Sequence, residues 1–417
     1  MMRASLATAP TSGDWPVRGW MWAAVLTVAL LARLIVVALA PREIPWIDGR
    51  QYDEIARSLY QHHGYGMQTG RPPGYPTLIA AIYGLLGPDL VRLRIVEALL
   101  GTLSVGVLGA VGASLFGGPA GLLAAAMAAA NPVLVLLPST QYSENTLVLL
   151  ITLGFAAAFA AWRREGLARW ALAGALFGLA LLTRPNTVTL LPGLALGLAL
   201  ALRRERRHWV LPLLTAGVAA LLVISPWVIR NQRVHHRWYF VATGGGRQFW
   251  YGNNPATTGA SNSATPFTPG LLSELVRLPD EVVRERLLYK RGMEFVRQHP
   301  GRATWLYAVK LGNLFALYPE TISRSTFLTP ASRLCGSIAS AVIFLGALLA
   351  LTRLRRTPAL WPMVGGIVTF ALANAVFFTV MRYRMVFEPC LLWMAGLGWA
   401  TTLWRRGVSP SNDNGPA

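Results

Sequence analysis

Long apolar runs separated by short loops dominate this chain and limit what it can fold into. Of its 417 residues, 54% are hydrophobic and only 13% are charged, whereas soluble domains carry about 25% charged residues. Many of the runs approach the ~20 residues that a helix needs to cross a bilayer. The sequence therefore predicts an all-α polytopic membrane protein.

Clusters of arginine predict which side of the membrane each loop occupies, because positive charge concentrates in cytoplasmic loops. Counting spans between the clusters gives ten membrane spans with both termini in the cytoplasm, or twelve if the short apolar pieces 74–87 and 303–317 also cross. The net charge of +20 is then better explained by topology than by nucleic-acid binding. The clusters are Arg163, Arg164 and Arg169; Arg203, Arg204, Arg206 and Arg207; Arg353, Arg355 and Arg356; and Arg405 and Arg406.

The first predicted span, residues 20–40, is longer than the ~7–15-residue core of a cleavable signal and is expected to be retained. Residues 1–19 and 405–417 are predicted to be cytoplasmic, and a transmembrane domain is predicted over 20–404. The remaining spans are predicted at 92–116, 118–137, 144–162, 168–184, 186–202, 208–229, 333–352, 358–380 and 385–404.

Two large loops are predicted on the outer face, at 41–91 and 230–332. The first holds Asp48, Tyr52 and Asp53, with Arg71 just before a Pro-Pro-Gly-Tyr-Pro turn. Asp48 and Tyr52 are four residues apart and share one face of a helix. Two interpretations of Asp48 are open: a general base toward a hydroxyl or amine acceptor, or a cap on the helix that follows it.

Arginines on the predicted outer face run against the positive-inside bias. Arg184 lies at a turn, Arg230 at the end of a span, and Arg382-Tyr383-Arg384 at the mouth of two spans. One interpretation is anchoring to lipid headgroups. The other is binding of a phosphate by the two-pronged guanidinium group, as a polyprenyl phosphate with its tail in the membrane would require.

Four charged residues lie within or beside predicted spans: Arg33, Glu97, Glu144 and Glu388. Burial of such groups is costly, so each should face water or a partner. Mutual ion pairs and a substrate cavity are equally compatible with the sequence.

The sequence carries no Walker loop, HExxH motif or zinc-type spacing, and Cys335 and Cys390 fall in or beside apolar runs. We therefore expect no metal site, no cofactor and no nucleic-acid partner.

The order of these motifs resembles the GT-C membrane glycosyltransferases, in particular dolichyl-phosphate-mannose–protein mannosyltransferases and bacterial lipid A aminoarabinose transferases. The resemblance covers most of residues 20–404 and implies a GT-C-type bundle of about 10–12 transmembrane helices in the inner (plasma) membrane. The matching motifs are Asp48 with Tyr52, the RPPGYP turn at 71–76, Asn131-Pro132, Ser143-Glu144, Thr183-Arg184-Pro185, Pro226-Trp227 with Arg230-Asn231, Gly252-Asn253-Asn254-Pro255, and Arg382-Tyr383-Arg384 with Glu388-Pro389.

The resemblance implies an inverting, metal-independent transfer of a sugar from a polyprenyl-phosphate donor to a lipid, glycan or protein acceptor at the outer face. Asp48, or Asp53 in its place, is then the catalytic base or orients the acceptor. Asp48, Arg71 and Arg382 are expected to meet in one cavity. Substrate contacts are implied for Tyr52, Arg71, Tyr75, Glu144, Arg184, Arg230, Asn253, Arg382, Tyr383 and Arg384.

A transporter or flippase of a lipid-linked glycan is the alternative function. Such a protein would place its polar groups near the middle of the membrane, whereas the polar residues of this chain concentrate at one predicted face.

Overall fold

The computed structural model describes residues 17–66, 70–164, 166–236, 238–259, 267–278, 280–318, 330–354 and 357–405. The predictions for residues 1–16 and 406–417, and for Arg355, Arg356 and Arg406, lie outside these ranges. The described residues form α-helices joined by turns and short 3-10 helices, without a β-strand among them. The predicted all-α polytopic class is confirmed.

The helices are, in chain order, α1 (Gly19–Leu39), α2 (Ile47–Tyr60), α3 (Gly74–Leu86), α4 (Leu90–Phe116), α5 (Gly118–Ala130), α6 (Pro132–Thr140), α7 (Glu144–Arg164), α8 (Leu167–Thr183), α9 (Leu191–Arg204), α10 (Val210–His235), α11 (Gly245–Gly252), α12 (Pro269–Arg277), α13 (Glu281–Gln298), α14 (Pro300–Leu314), α15 (Pro330–Leu354), α16 (Leu360–Asn374) and α17 (Glu388–Arg405). Two 3-10 helices, Pro185–Thr189 and Met381–Val386, precede α9 and α17.

Within the described residues, six helical segments are long and apolar enough to cross a membrane: α1, α4, α7, α10, α15 and the segment Pro185–Arg204 that ends with α9. The pair α5 and α6 makes a seventh if it is one span, and α8 and α16 are apolar but shorter. Each of the ten predicted spans coincides with one of these segments or with α17. Two of the three helices missing from the count of seven, α8 and α16, have only 17 and 15 residues.

The predicted span over 118–137 is formed by two helices, α5 and α6, which are bent by 51° relative to each other. Pro132 lacks an N–H group and is favoured in the first turn of a new helix. The Asn131 side chain caps that helix by accepting a hydrogen bond from the Val133 N–H at 3.0 Å.

Helices α2 and α3 pack on one another through a small aromatic core of Tyr52, Ala56, Tyr75, Ile79 and Tyr83. Tyr52, Ile55 and Ala56 recur at helical spacing and give α2 one buried face, and Asp48 lies one turn before Tyr52 on the same side of the helix. The cap interpretation of Asp48 is wrong. The helix starts one residue earlier, at Ile47, and its N-cap residue Trp46 makes no side-chain cap bond.

A glycine pair lets α9 and α16 approach closely. A Cβ atom on Gly193 would lie 1.9 Å from the backbone oxygen of Gly365. We expect Gly193→Ala to lower the melting temperature of the purified protein by several degrees, because overpacking costs about 1–3 kcal/mol. Gly217→Ala in α10 is the matched control, since nothing lies within 4 Å of its Cβ position. Equal melting temperatures for the two variants would contradict the close contact.

Candidate active site

A cavity of about 880 Å³ opens between α2, the start of α7, both 3-10 helices and α11. Its described lining carries acids and arginines in equal number, and several of them form ion pairs with one another. The acids are Asp48, Glu54, Glu144 and Glu281, and the arginines are Arg71, Arg184, Arg247 and Arg382.

Asp48 is held between two arginines from distant parts of the chain. Arg71 Nη2 lies 2.6 Å from Asp48 Oδ1, and Arg382 Nη2 lies 2.9 Å from Asp48 Oδ2. Burial alone would raise the pKa of this carboxyl group, but Arg382 and Arg71 outweigh it and hold the pKa well below its usual range. Asp48 is thus an ionised carboxylate whose two oxygens are both paired.

Arg382 also pairs with a second acid. Its Nε lies 3.2 Å from Glu144 Oε1, and Arg184 Nη1 lies 2.7 Å from the same oxygen. Glu144 is the first residue of α7, where the helix dipole favours a negative charge. The result is an alternating chain of charges: Arg71, Asp48, Arg382, Glu144 and Arg184.

Aromatic rings support three of these guanidinium groups. Arg382 lies over Tyr142 at 4.2 Å from the ring centroid, Arg184 over Tyr383 at 4.7 Å, and Arg71 over Tyr52 at 5.2 Å. A cation over a ring face is attracted by its quadrupole, so the rings fix the planes of the arginines.

Gln51 and Tyr142 are among the lining residues that were not predicted from the sequence. Gln51 Oε1 accepts hydrogen bonds from Arg71 Nε at 2.8 Å and Nη2 at 2.6 Å. Gln51 lies three residues after Asp48 on one helix, and this spacing predicts that the two side chains are neighbours. Tyr142 directly precedes the Ser143-Glu144 motif.

The loop that carries Arg71 is fixed by its backbone. The Tyr65 hydroxyl contacts the carbonyl oxygens of Arg71 and Pro72 at 2.9 and 3.1 Å. The prolines at 72 and 73 restrict the chain that follows. Arg71 therefore projects from a stiff support.

Buried hydrogen bonds to Glu388 hold the Met381–Val386 helix in place. Arg384 Nε donates to Glu388 Oε2 at 2.7 Å, and Asn131 Nδ2 donates to Glu388 Oε1 at 2.9 Å. Arg384 is buried and does not line the cavity. Its neighbours Arg382 and Tyr383 do line it, so Arg384 supports the residues that face the cavity.

Four other predicted site residues also lie outside the cavity lining. Asp53 pairs with Arg57 at 2.8 Å and accepts a hydrogen bond from Tyr83. Tyr75 is buried behind Tyr52, with ring centroids 5.2 Å apart. Arg230 lies 4.7 Å from the Trp227 ring and donates to the Gly66 carbonyl oxygen, and Asn253 Oδ1 accepts from Lys310 Nζ at 3.1 Å.

The expectation that Asp48, Arg71 and Arg382 share one cavity is met by the geometry, and Tyr52, Glu144, Arg184 and Tyr383 line it with them. Among the described residues, no group of three or more His, Cys, Asp or Glu side chains lies close enough to hold a metal ion.

Comparison with known proteins identifies the fold of this chain. The sequence profile described as "Dolichyl-phosphate-mannose-protein mannosyltransferase" matches residues 70–229. The apo oligosaccharyltransferase from Archaeoglobus fulgidus superposes with a TM-score of 0.58 at 14% identity, over 94% of this chain and 52% of the other. The chain has the GT-C fold. The resemblance to GT-C membrane glycosyltransferases predicted from the sequence is confirmed.

Two further solved structures are similar to this chain. The Archaeoglobus fulgidus oligosaccharyltransferase AglB, in complex with an inhibitory peptide and a dolichol-phosphate, gives a TM-score of 0.55 at 12% identity, covering 96% of this chain and 53% of that one. ArnT from Cupriavidus metallidurans in the apo state gives 0.43 at 19% identity, covering 91% and 78%, a score too low to establish a shared fold by itself. No curated protein matches the sequence significantly.

The GT-C chain spans about half the length of the archaeal oligosaccharyltransferases it matches. The matched family profile covers Arg71, Glu144 and Arg184 but neither Asp48 nor Arg382. The comparisons therefore establish the fold and not the chemistry of the cavity.

Proposed function

We propose that this GT-C protein transfers a sugar from a polyprenyl-phosphate donor to an acceptor at the extracytoplasmic face of the inner membrane, with both termini cytoplasmic. The observation that carries the proposal is the Asp48 carboxylate held between Arg71 and Arg382 in one cavity. A dolichol-phosphate is bound by the archaeal oligosaccharyltransferase of the same fold, and this supports a lipid-phosphate donor here.

Asp48 is the proposed base. It accepts the proton of the acceptor hydroxyl or amine while the acceptor atom forms a bond to the anomeric carbon. The bond between that carbon and the phosphate oxygen breaks, and its electron pair stays on the leaving lipid phosphate. Attack opposite the leaving group inverts the anomeric centre.

Arginines are proposed to stabilise the leaving phosphate. Arg71, Arg184 and Arg382 line the cavity beside Asp48, and preorganised cations at the point where negative charge develops are usually the largest catalytic contribution. Asp48 and Glu144 both pair with Arg382, so a guanidinium group lies between these two carboxylates and neutralises them. We propose that the transfer is metal-independent.

An apolar wall supports a lipid donor. Val188, Phe240, Phe377 and Phe378 line the cavity, and Val188 and Phe240 are 39% and 43% exposed. A phosphate that carries a polyprenyl tail must stay at headgroup depth, and these residues provide a surface for the first isoprene units.

The test uses the full chain in liposomes with a panel of labelled undecaprenyl-phosphate sugars and a membrane extract as acceptor. We expect cleavage of the sugar–phosphate bond, release of undecaprenyl phosphate and labelled product, all unaffected by EDTA. Movement of intact lipid-linked sugar across the bilayer without cleavage would instead establish a flippase and overturn the proposal.

A further inference from the structure

Helix α4 buries two charged residues one turn apart, Arg94 and Glu97. Both are 1% exposed, and neither lines the cavity. Their burial in an apolar helix is costly. From the sequence, Glu97 could form an ion pair or line a substrate cavity. In the structure its carboxylate instead accepts a hydrogen bond from the side-chain amide of Asn145 on α7.

Arg94 connects the segments on either side of the active site. Its Nη1 donates to the Pro41 carbonyl oxygen at 2.5 Å, and its Nη2 lies 3.3 Å from the Glu43 carbonyl oxygen. The same Nη2 lies 3.3 Å from Gln141 Oε1. The first two contacts hold the chain that leads into α2 and Asp48, and the third holds the end of α6.

Glu97 holds the start of α7 and the support of α2. Asn145 Nδ2 donates to Glu97 Oε2 at 2.5 Å and to the Glu97 backbone oxygen at 2.8 Å. Asn145 is the neighbour of Glu144. The Glu97 carboxylate also interacts electrostatically with the buried Tyr75, whose ring packs against Tyr52.

We propose that Arg94 and Glu97 are positioning residues that set the separation of Asp48 from Glu144. Those two carboxylates share Arg382, so their separation decides where that guanidinium group lies. A misplacement of about 1 Å in a catalytic arrangement can cost roughly 100-fold in rate. The catalytic consequence rests on the proposed function, whereas the effect on the two segments does not.

The test compares Glu97→Leu with Glu97→Gln in the full chain. Leu removes the acceptor for Asn145, and Gln keeps an acceptor oxygen. For Glu97→Leu we expect faster hydrogen exchange in residues 41–52 and 139–145, and a fall in kcat of roughly 10–100-fold at a donor KM within about threefold of wild type. Glu97→Gln should restore both. Asn145→Ala, which removes the other partner, provides the same test if Glu97→Leu does not fold.

Glu205→Leu is the matched control. Glu205 accepts a hydrogen bond from Trp162 Nε1 at 3.1 Å. Trp162 lies on α7 about 27 Å from Glu144, at a helical rise of 1.5 Å per residue. Glu205→Leu should lower the melting temperature of the protein without changing kcat per folded molecule or hydrogen exchange in residues 41–52 and 139–145.

The outcomes separate the two claims. If Glu97→Leu behaves like Glu205→Leu, the positioning role is overturned. If exchange rises in the two segments but the wild-type protein transfers no sugar, the positioning role stands and the proposed function fails.

Discussion

Asp48→Asn is expected to abolish sugar transfer while strengthening the binding of undecaprenyl phosphate. The substitution removes the proposed base, whose loss typically costs about 10²–10⁴-fold in rate. It also removes the anion that now occupies Arg71 and Arg382. A lipid phosphate no longer has to displace that anion, so we expect its affinity to rise about tenfold, the value of one charge-assisted hydrogen bond.

The measurement is the Kd for undecaprenyl phosphate in detergent together with the rate of transfer. Asp53→Asn is the matched control, because Asp53 pairs with Arg57 and Tyr83 outside the cavity. It should leave both quantities within about threefold of wild type. Weaker binding by Asp48→Asn, or loss of transfer in Asp53→Asn with Asp48→Asn active, would contradict the assignment.

The same competition gives a pH signature. In the free protein, Arg382 and Arg71 outweigh burial and lower the pKa of Asp48, so the acid limb of kcat/KM should lie below about pH 4, the value of an ordinary Asp. Bound phosphate draws these arginines away, and the pKa of Asp48 should then rise. The acid limb of kcat is therefore expected at higher pH than that of kcat/KM.

Most of the fold follows from the apolar runs, because a membrane helix must satisfy its backbone hydrogen bonds internally. The runs therefore place every predicted span on a helix. The bend between α5 and α6 does not follow, since Asn131-Pro132 is compatible with either a kink or a new helix, and the choice depends on packing against α1 and α4.

The candidate site was predictable where charge is out of place. Arg382 and Asp48 stand beside apolar runs on the predicted outer face, where a charged side chain needs water, a lipid headgroup or an ion-pair partner. Which of two close neighbours faces the cavity was not predictable. Asp48 and Asp53 both lie on α2, and packing of Tyr52 against Tyr75 decides which acid points inward.

The distinction between Arg382 and Arg384 has the same origin. Two residues apart in a 3-10 helix, they point to different sides. Arg384 is held by its ion pair with Glu388, four residues further along the chain. Arg382 is held by its ion pair with Asp48, 334 residues away in sequence, and no local sequence pattern predicts such a distant contact.

Arg382→Gln is expected to be the most damaging single arginine change in the cavity. Its guanidinium group pairs with both Asp48 and Glu144 and lies over Tyr142. Loss of the group removes a phosphate contact and leaves Glu144 with Arg184 as its remaining ion-pair partner. We expect transfer to fall roughly 10³-fold and the affinity for undecaprenyl phosphate to fall about tenfold or more. Arg382→Lys should recover only part of this loss, because an ammonium group lacks the two-pronged geometry and stacks poorly.

Arg247→Gln separates a specific role from the loss of one positive charge. Arg247 lines the same cavity, but its side chain is 47% exposed and lies 3.9 Å from Glu285. Exposed pairs at such distances contribute little, so its removal should change transfer by less than about tenfold. Melting temperatures of both variants are measured in parallel, because Arg382→Gln leaves Glu144 paired with Arg184 alone and this loss can also lower the stability of the protein. If Arg247→Gln lost as much activity as Arg382→Gln at equal stability, the cavity would act through net charge alone, and the alternating arrangement of Arg71, Asp48, Arg382 and Glu144 would not be the catalytic feature.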